Sequence, residues 1–169
     1  MTVVRSDKDV EALTLTFVAE FDAGVERVWQ LWQDPRQLER WWGPPTWPAT
    51  FEQHDFVVGG RCRYHMTGPD GQKSRGWWTI TAIDAPHRLE FDDSFAGEDG
   101  EPVTSPKPTH TAVTIEALGA GTRLTTVTAF ASTEDLEQIL EMGAEEGTRL
   151  AMGQIDAVLA DVPDRKVDR

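Results

Sequence analysis

The chain has 169 residues, with 29 acidic against 16 basic side chains and a formal net charge of −13 at pH 7. So large an acidic excess argues against nucleic acid or a membrane surface as partner, since both need a basic footprint. Cys62 is the single cysteine, so no internal disulfide forms; no stretch approaches 18 apolar residues and no cationic leader with an apolar run behind it is visible, so one cytoplasmic domain is expected.

Residues 1–11 are read as an N-terminal tail, 12–160 as the domain and 161–169 as a polar, disordered C-terminal tail. Leu13, Leu15, Phe17, Ala19 and Phe21 alternate with Thr14, Thr16, Val18 and Glu20, the period of a strand with one face on a core. Residues 24–33 read as a helix that stops at Asp34-Pro35, because the residue before proline avoids helical geometry. A second helix is predicted over 35–42, with Pro35 in its first turn and Gly43-Pro44-Pro45 ending it. Trp29, Trp32, Leu38, Trp41 and Trp42 recur at helical spacing on this pair, giving it a bulky face that packs in a core or lines an apolar pocket.

Strands are predicted over 48–55, 61–67, 76–83, 87–95, 109–117 and 122–131, separated by turn-forming residues such as Gly59-Gly60 and Pro69-Asp70-Gly71. Residues 96–108, rich in Gly, Pro and acid, read as a mobile loop. One long helix is predicted over 133–159, capped by Ser132 or Thr133 and complemented at its start by Glu134 and Asp135. Its stripe runs through Leu136, Ile139, Leu140, Gly143, Gly147, Leu150, Ala151, Gln154 and Val158. Gly143 and Gly147 weaken a helix and share one face, which predicts close approach or space for a ligand. Hairpin-linked strands under one amphipathic helix make an α+β architecture with a mostly antiparallel sheet.

Chemical motifs are sparse. The four histidines fall in no metal-binding spacing, and Cys62 and His65 point to opposite faces of their strand, so no metal or cofactor is expected. There is no nucleophile elbow and no phosphate-cradling loop. The acidic run 92–101 reads as a solvated face. Cys62, Tyr64 and Met66 share the inward face of their strand, and Tyr64, the only tyrosine, is the one polar handle there.

The string Val28-Trp29, Asp34-Pro35, Arg40-Trp41-Trp42-Gly43-Pro44, Gly59-Gly60, Gly68-Pro69-Asp70-Gly71, Gly76-Trp77-Trp78-Thr79-Ile80, Pro86-His87-Arg88-Leu89 and Met142-Gly143…Glu146-Gly147 resembles the bacterial homologues of the heat-shock-protein-90 ATPase activator. That family lies in the START-like, Bet v 1-like (SRPBCC) helix-grip superfamily. The resemblance covers residues 12–160 and implies a curved antiparallel sheet wrapped around a long C-terminal helix, two short helices after the first strand, and a hydrophobic cavity. Where family members often carry tryptophan after the second helix glycine, this chain has Thr148.

The expectation is therefore binding of a small hydrophobic molecule between sheet and helix by Trp42, Tyr64, Trp78, Phe91, Met142 and Thr148. Trp42 would wall one end, Tyr64 would offer a hydroxyl, and Met142 would adapt to ligand shape. An enzyme of the same fold, acting on a hydrophobic substrate through an acid or base of perturbed pKa, is the alternative. A co-chaperone role on a heat-shock ATPase rests on the family name alone, and a homodimer is compatible with the sequence.

Overall fold

The structure, a computed structural model, describes residues 3–104 and 106–161. Its framework is one eight-stranded sheet, antiparallel at every pairing, in the order β1-β2-β8-β7-β6-β5-β4-β3. The strands are β1 (Val3–Asp9), β2 (Thr14–Phe21), β3 (Ala49–His54), β4 (Arg61–Thr67), β5 (Lys73–Asp84), β6 (Arg88–Ala96), β7 (Thr109–Leu118) and β8 (Gly121–Ala129). Alternation sets their inner face: Leu15, Phe17, Ala19 and Phe21 of β2 are buried, and so are Trp78 and Ile80, Leu89 and Phe91, and Val113 and Ile115 on the strands beyond.

The expected N-terminal tail is partly a strand. Residues from Val3 to Asp9 pair with β2, from Val3↔Ala19 to Asp9↔Thr14. The side chains of Arg5, Asp7, Lys8 and Asp9 are exposed, so backbone hydrogen bonds rather than apolar burial hold this edge, and charges on an edge strand discourage further pairing. This is why no apolar period marks it. Of the expected C-terminal tail only Asp161 falls within the described residues.

Between β2 and β3 lie α1 (Val25–Gln33) and α2 (Pro35–Leu38). Asp34 serves both. Its N–H donates to Gln30 O at 3.0 Å as α1 ends, and its Oδ1 accepts from the Arg36 N–H at 3.0 Å as α2 starts. Helix α2 is shorter than predicted. Beyond Leu38 the backbone tightens, with Arg40 N–H on Gln37 O and Trp41 N–H on Leu38 O. That turn sends the neighbouring residues Trp41 and Trp42 both toward the core, which a regular helix, rotating 100° per residue, would not do.

The C-terminal helical arm is long, as expected, but it is not one unbroken helix. It comprises α3 (Thr133–Glu141), α4 (Ala144–Met152) and α5 (Ile155–Asp161). Ser132 caps α3 by accepting from the Asp135 N–H at 3.1 Å. Gly143 takes φ +85° at the N-cap of α4, and this left-handed residue breaks the helix. The break shifts the buried stripe. Leu136, Ile139, Ala151, Met152, Ile155 and Val158 are buried, whereas Leu150, placed on the stripe by an unbroken helix, is 48% exposed. Arg149 donates to Ser6 Oγ on β1, Gln154 Nε2 donates to Gly43 O at 2.7 Å, and Arg27 donates to Val158 O at 3.2 Å. The arm is thus tied to β1 at one side and to the α1–α2 corner at the other. No helix of the described residues is long and apolar enough to cross a membrane.

Gly143 and Gly147 should respond to alanine with opposite signs. Gly143→Ala forces a Cβ into left-handed backbone and should destabilise by about 1–2 kcal/mol, with Gly143→Asn milder. Gly147 lies inside α4 with no atom within 4 Å of a built Cβ, so Gly147→Ala should stabilise by up to about 1 kcal/mol. Denaturant unfolding of both variants checks this; a stabilising Gly143→Ala would mean that α3 and α4 are continuous.

Candidate functional site

The α1–α2 corner and strands β3–β6 together build an aromatic cluster on the inner face of the sheet. Trp78 and Phe91, neighbours across β5 and β6, stack with ring centres 4.0 Å apart and planes 15° from parallel. Trp42 stands edge-on to Trp78 at 4.9 Å and to Tyr64 at 6.0 Å. Trp32 touches Trp41, Trp42, Trp78 and Phe91, at 4.7 to 6.1 Å. Edge-to-face pairs set positive ring edges on negative ring faces, which adds roughly 0.5–1.5 kcal/mol per pair to simple burial.

Four of the six residues expected at the site, Trp42, Tyr64, Trp78 and Phe91, therefore meet in one place. Trp78, Phe91 and Tyr64 are buried, and Trp42 is half-buried. Met142 stands apart, at the C-cap of α3 and 59% exposed. Thr148 is half-buried on α4.

Tyr64 faces Gly76 across the β4–β5 ladder. A Cβ at position 76 would lie 2.5 Å from the phenol carbon and hydroxyl of Tyr64. The absent side chain lets the ring lie across β5 and reach β6, where the Tyr64 hydroxyl donates to Asp93 Oδ1 at 2.9 Å. Asp93 alternates with Phe91 and Phe95 on the inner face and sits opposite Trp78. It is a candidate site residue that the sequence reading missed. Lying in the acidic run 92–101, it was expected to be solvated, yet the alternation Leu89, Phe91, Asp93, Phe95 points it inward.

Burial pushes the Asp93 carboxyl up to about 7, opposed only by the Tyr64 hydrogen bond. Burial, then the Asp93 charge, holds the Tyr64 phenol well above its ordinary value, so it stays a donor. The Trp42 N–H has no full hydrogen bond, and its influence on Tyr64 is the opposing one. The Cys62 thiol, raised by burial to about 12, is inert as a nucleophile at neutral pH.

The histidines are dispersed. His54 contacts Trp32 O, with its pKa lowered by burial; His65 contacts Glu52, and His87 contacts Ile115 O. His110 lies between Asp92 and Glu90, at 2.7 and 2.9 Å, and its pKa is raised first by Asp92. Among the described residues no group of three or more His, Cys, Asp or Glu side chains is placed to hold a metal ion.

An open pocket of about 300 Å³ lies where β5 starts and β6 ends, lined in part by Trp47, Ser74, Arg75, Phe95 and Glu98. The loop beside it, expected to be mobile, is tied down over its described residues. Gly97 N–H donates to Glu101 O at 2.9 Å, and Trp77 Nε1 donates to Gly100 O at 2.6 Å.

An antiparallel sheet, two short helices inserted before β3 and a long C-terminal helical arm define a helix-grip protein. The chain belongs to the family described as activator of Hsp90 ATPase homolog 1-like protein, whose model matches residues 22–160. It is similar to a protein of Arthrobacter aurescens solved by solution NMR, at 60% identity over 96% of this chain and 95% of that one, with a TM-score of 0.92. A crystal structure of a Mycobacterium smegmatis protein is similar at 48% identity over 96% and 99% of the chains, with a TM-score of 0.87. A Staphylococcus epidermidis protein, at 23% identity over 98% and 97% and a TM-score of 0.78, shares the fold. No curated protein sequence matches the chain significantly.

Two outcomes follow from the Tyr64–Asp93 geometry. Gly76→Ala should displace the Tyr64 ring and destabilise by about 1–3 kcal/mol in denaturant unfolding; an unchanged midpoint would mean that Tyr64 does not lie over residue 76. Asp93 also makes stability fall with pH. Its folded pKa of about 7 lies above its ordinary 3.8, so between those values the folded chain holds a proton that the unfolded chain has lost. The contribution is complete below 3.8 and is lost as pH rises through 7. Each tenfold change in proton affinity is worth about 1.4 kcal/mol, discounted for the solvent that reaches a half-buried group. The melting temperature of Asp93→Asn relative to the parent should therefore climb between pH 5 and pH 8. A constant difference would show that Asp93 titrates as a surface carboxylate.

Proposed function

We propose that this protein binds a small hydrophobic molecule between its sheet and its helical arm, in a cytoplasmic setting. The observation that carries the reading is the Tyr64–Asp93 hydrogen bond, a polar pair on an inner face otherwise walled by aromatic rings. Apolar walls with a few convergent polar groups and a perturbed carboxyl are the common composition of ligand sites.

Three further facts support it. Trp42, Met66, Asp93 and Phe95 remain only half-buried, although they belong to or border the core side of the sheet. Phe95 also lines the open pocket at the end of β6, which suits an entrance. Thr148 is half-buried on α4 and small where the resemblance leads one to expect tryptophan.

The Asp93 pKa near 7 favours a second reading, in which the same site catalyses proton transfer on the bound molecule. A carboxyl poised near working pH serves as general acid or base. The two readings differ in whether the bound compound leaves unchanged, which mass spectrometry of recovered ligand decides.

Titration with Nile red, a neutral apolar fluorophore, tests the shared claim of a site. Saturable binding at one site per chain is expected, weakened roughly tenfold in Thr148→Trp without loss of melting temperature. Absence of saturable binding sinks the proposal, and unchanged affinity in a stable Thr148→Trp moves the site away from α4.

A further inference from the structure

The polar pair at this site accepts hydrogen bonds more readily than it donates them. The Tyr64 hydroxyl has already committed its proton to Asp93 Oδ1, so its oxygen, which also feels the Trp42 N–H, acts as an acceptor. An ionised Asp93 carries acceptor sites alone. No arginine, lysine or histidine lies within ion-pair distance of Asp93 among the described residues, whereas Glu90, Glu20 and Glu39 each face a cation. The charged and titratable influences on Asp93 from the surrounding elements reduce to Tyr64 of β4; β5 contributes Trp78 and β7 contributes Thr109, neither of which titratable.

We infer that the molecule taken at this site is an apolar amine, its ammonium group seated on the Asp93 carboxylate and its carbon skeleton against Trp42 and Tyr64. The inference rests on the binding reading above and names its ligand class. A half-buried carboxylate without a counter-charge is disfavoured, and an incoming ammonium supplies both the charge and the donors it lacks. The Tyr64 ring, hydrogen-bonded to Asp93 and edge-on to Trp42, adds an aromatic surface that attracts a cation, a contribution that grows when the site is dry. A carboxylate ligand would meet like charge and two acceptor oxygens instead. The net charge of −13 biases the approach of cations in the same direction. Lys73 and Arg75 at the rim of the open pocket are the groups that would prefer an anionic head, and the experiment separates the two.

The test is calorimetric titration at pH 8 with three probes of one skeleton: 1-naphthylmethylamine, 1-naphthalenemethanol and 1-naphthoic acid. The amine should bind roughly tenfold or more tighter than the alcohol, and the acid weakest. Asp93→Asn, which keeps the side-chain shape, should remove the advantage of the amine over the alcohol. The order among probes on the parent protein stands as a test even if the variant folds poorly. Equal affinities, an amine advantage that survives in folded Asp93→Asn, or preference for naphthoate lost in Arg75→Gln each overturn the inference. Nile red binding with no response to the amine overturns it while leaving the binding reading intact. Failure of Nile red as well removes both.

Discussion

The structure depends on the burial of Trp32. Its ring lies where α1, the turn after α2, β5 and β6 converge, in contact with Trp41, Trp42, Trp78 and Phe91, and it is 1% exposed. A curved sheet needs its concave face filled, and helices alone leave gaps against it. Indole rings close those gaps. They fix where the α1–α2 corner sits, and the Trp41 N–H locks that corner by donating to Leu31 O at 3.0 Å. The indole N–H groups of Trp32, Trp42 and Trp78 have no full hydrogen bond. The cluster therefore stands on packing and ring geometry rather than on polar pairing.

Filling one end so completely concentrates polarity at the other. Along β6 the inner face passes from Leu89 and Phe91, both fully buried, to the half-buried Asp93 and Phe95. On β7 and β8 the hydroxyls of Thr111 and Thr128 pair with each other at 3.0 Å. The aromatic end is closely packed, and the polar end carries the hydrogen-bonding groups. Gly76 joins the two, since the Tyr64 ring crosses it to reach Asp93.

Much of this was legible in the sequence. The alternation in β2 and β4 gave correct faces, so Tyr64 was placed inward, and the breaks at Asp34-Pro35 fell where the chain turns. What stayed hidden has physical reasons. Strand β1 is held by ladder bonds at an edge, which impose no apolar period. Gly143 and Gly147 look alike as residues, but only Gly143 adopts positive φ, and backbone handedness is decided by how α3 and α4 pack. Once the helix breaks there, the extrapolated stripe fails, which carried Leu150 outward. Met142, next to that break, is likewise exposed. Asp93 was masked by its neighbours, because local charge density outweighed a period of two that continued through it.

Asp93 and His110 show how differently the fold treats charge. His110, on β7, is flanked by Asp92 and Glu90, and Arg88 also pairs with Glu90. These partly solvated groups neutralise one another, and a structural role accounts for them. Asp93 is one residue from Asp92, yet alternation sends it to the opposite face, where its carboxyl accepts from Tyr64 and, among the described residues, pairs with no cation. An apolar residue there would pack against Phe91 and Phe95 without any desolvation penalty. Asp93 satisfies the Tyr64 hydroxyl, while the Tyr64 ring is separately held by stacking on Phe51, with ring centres 5.1 Å apart. A carboxyl with one hydroxyl partner and no counter-charge is a costly way to hold one ring in place, and such positions are where a functional role is sought first. That asymmetry, more than the apolar walls, makes the inner end of β6 the place where this protein meets its ligand in the reading proposed above.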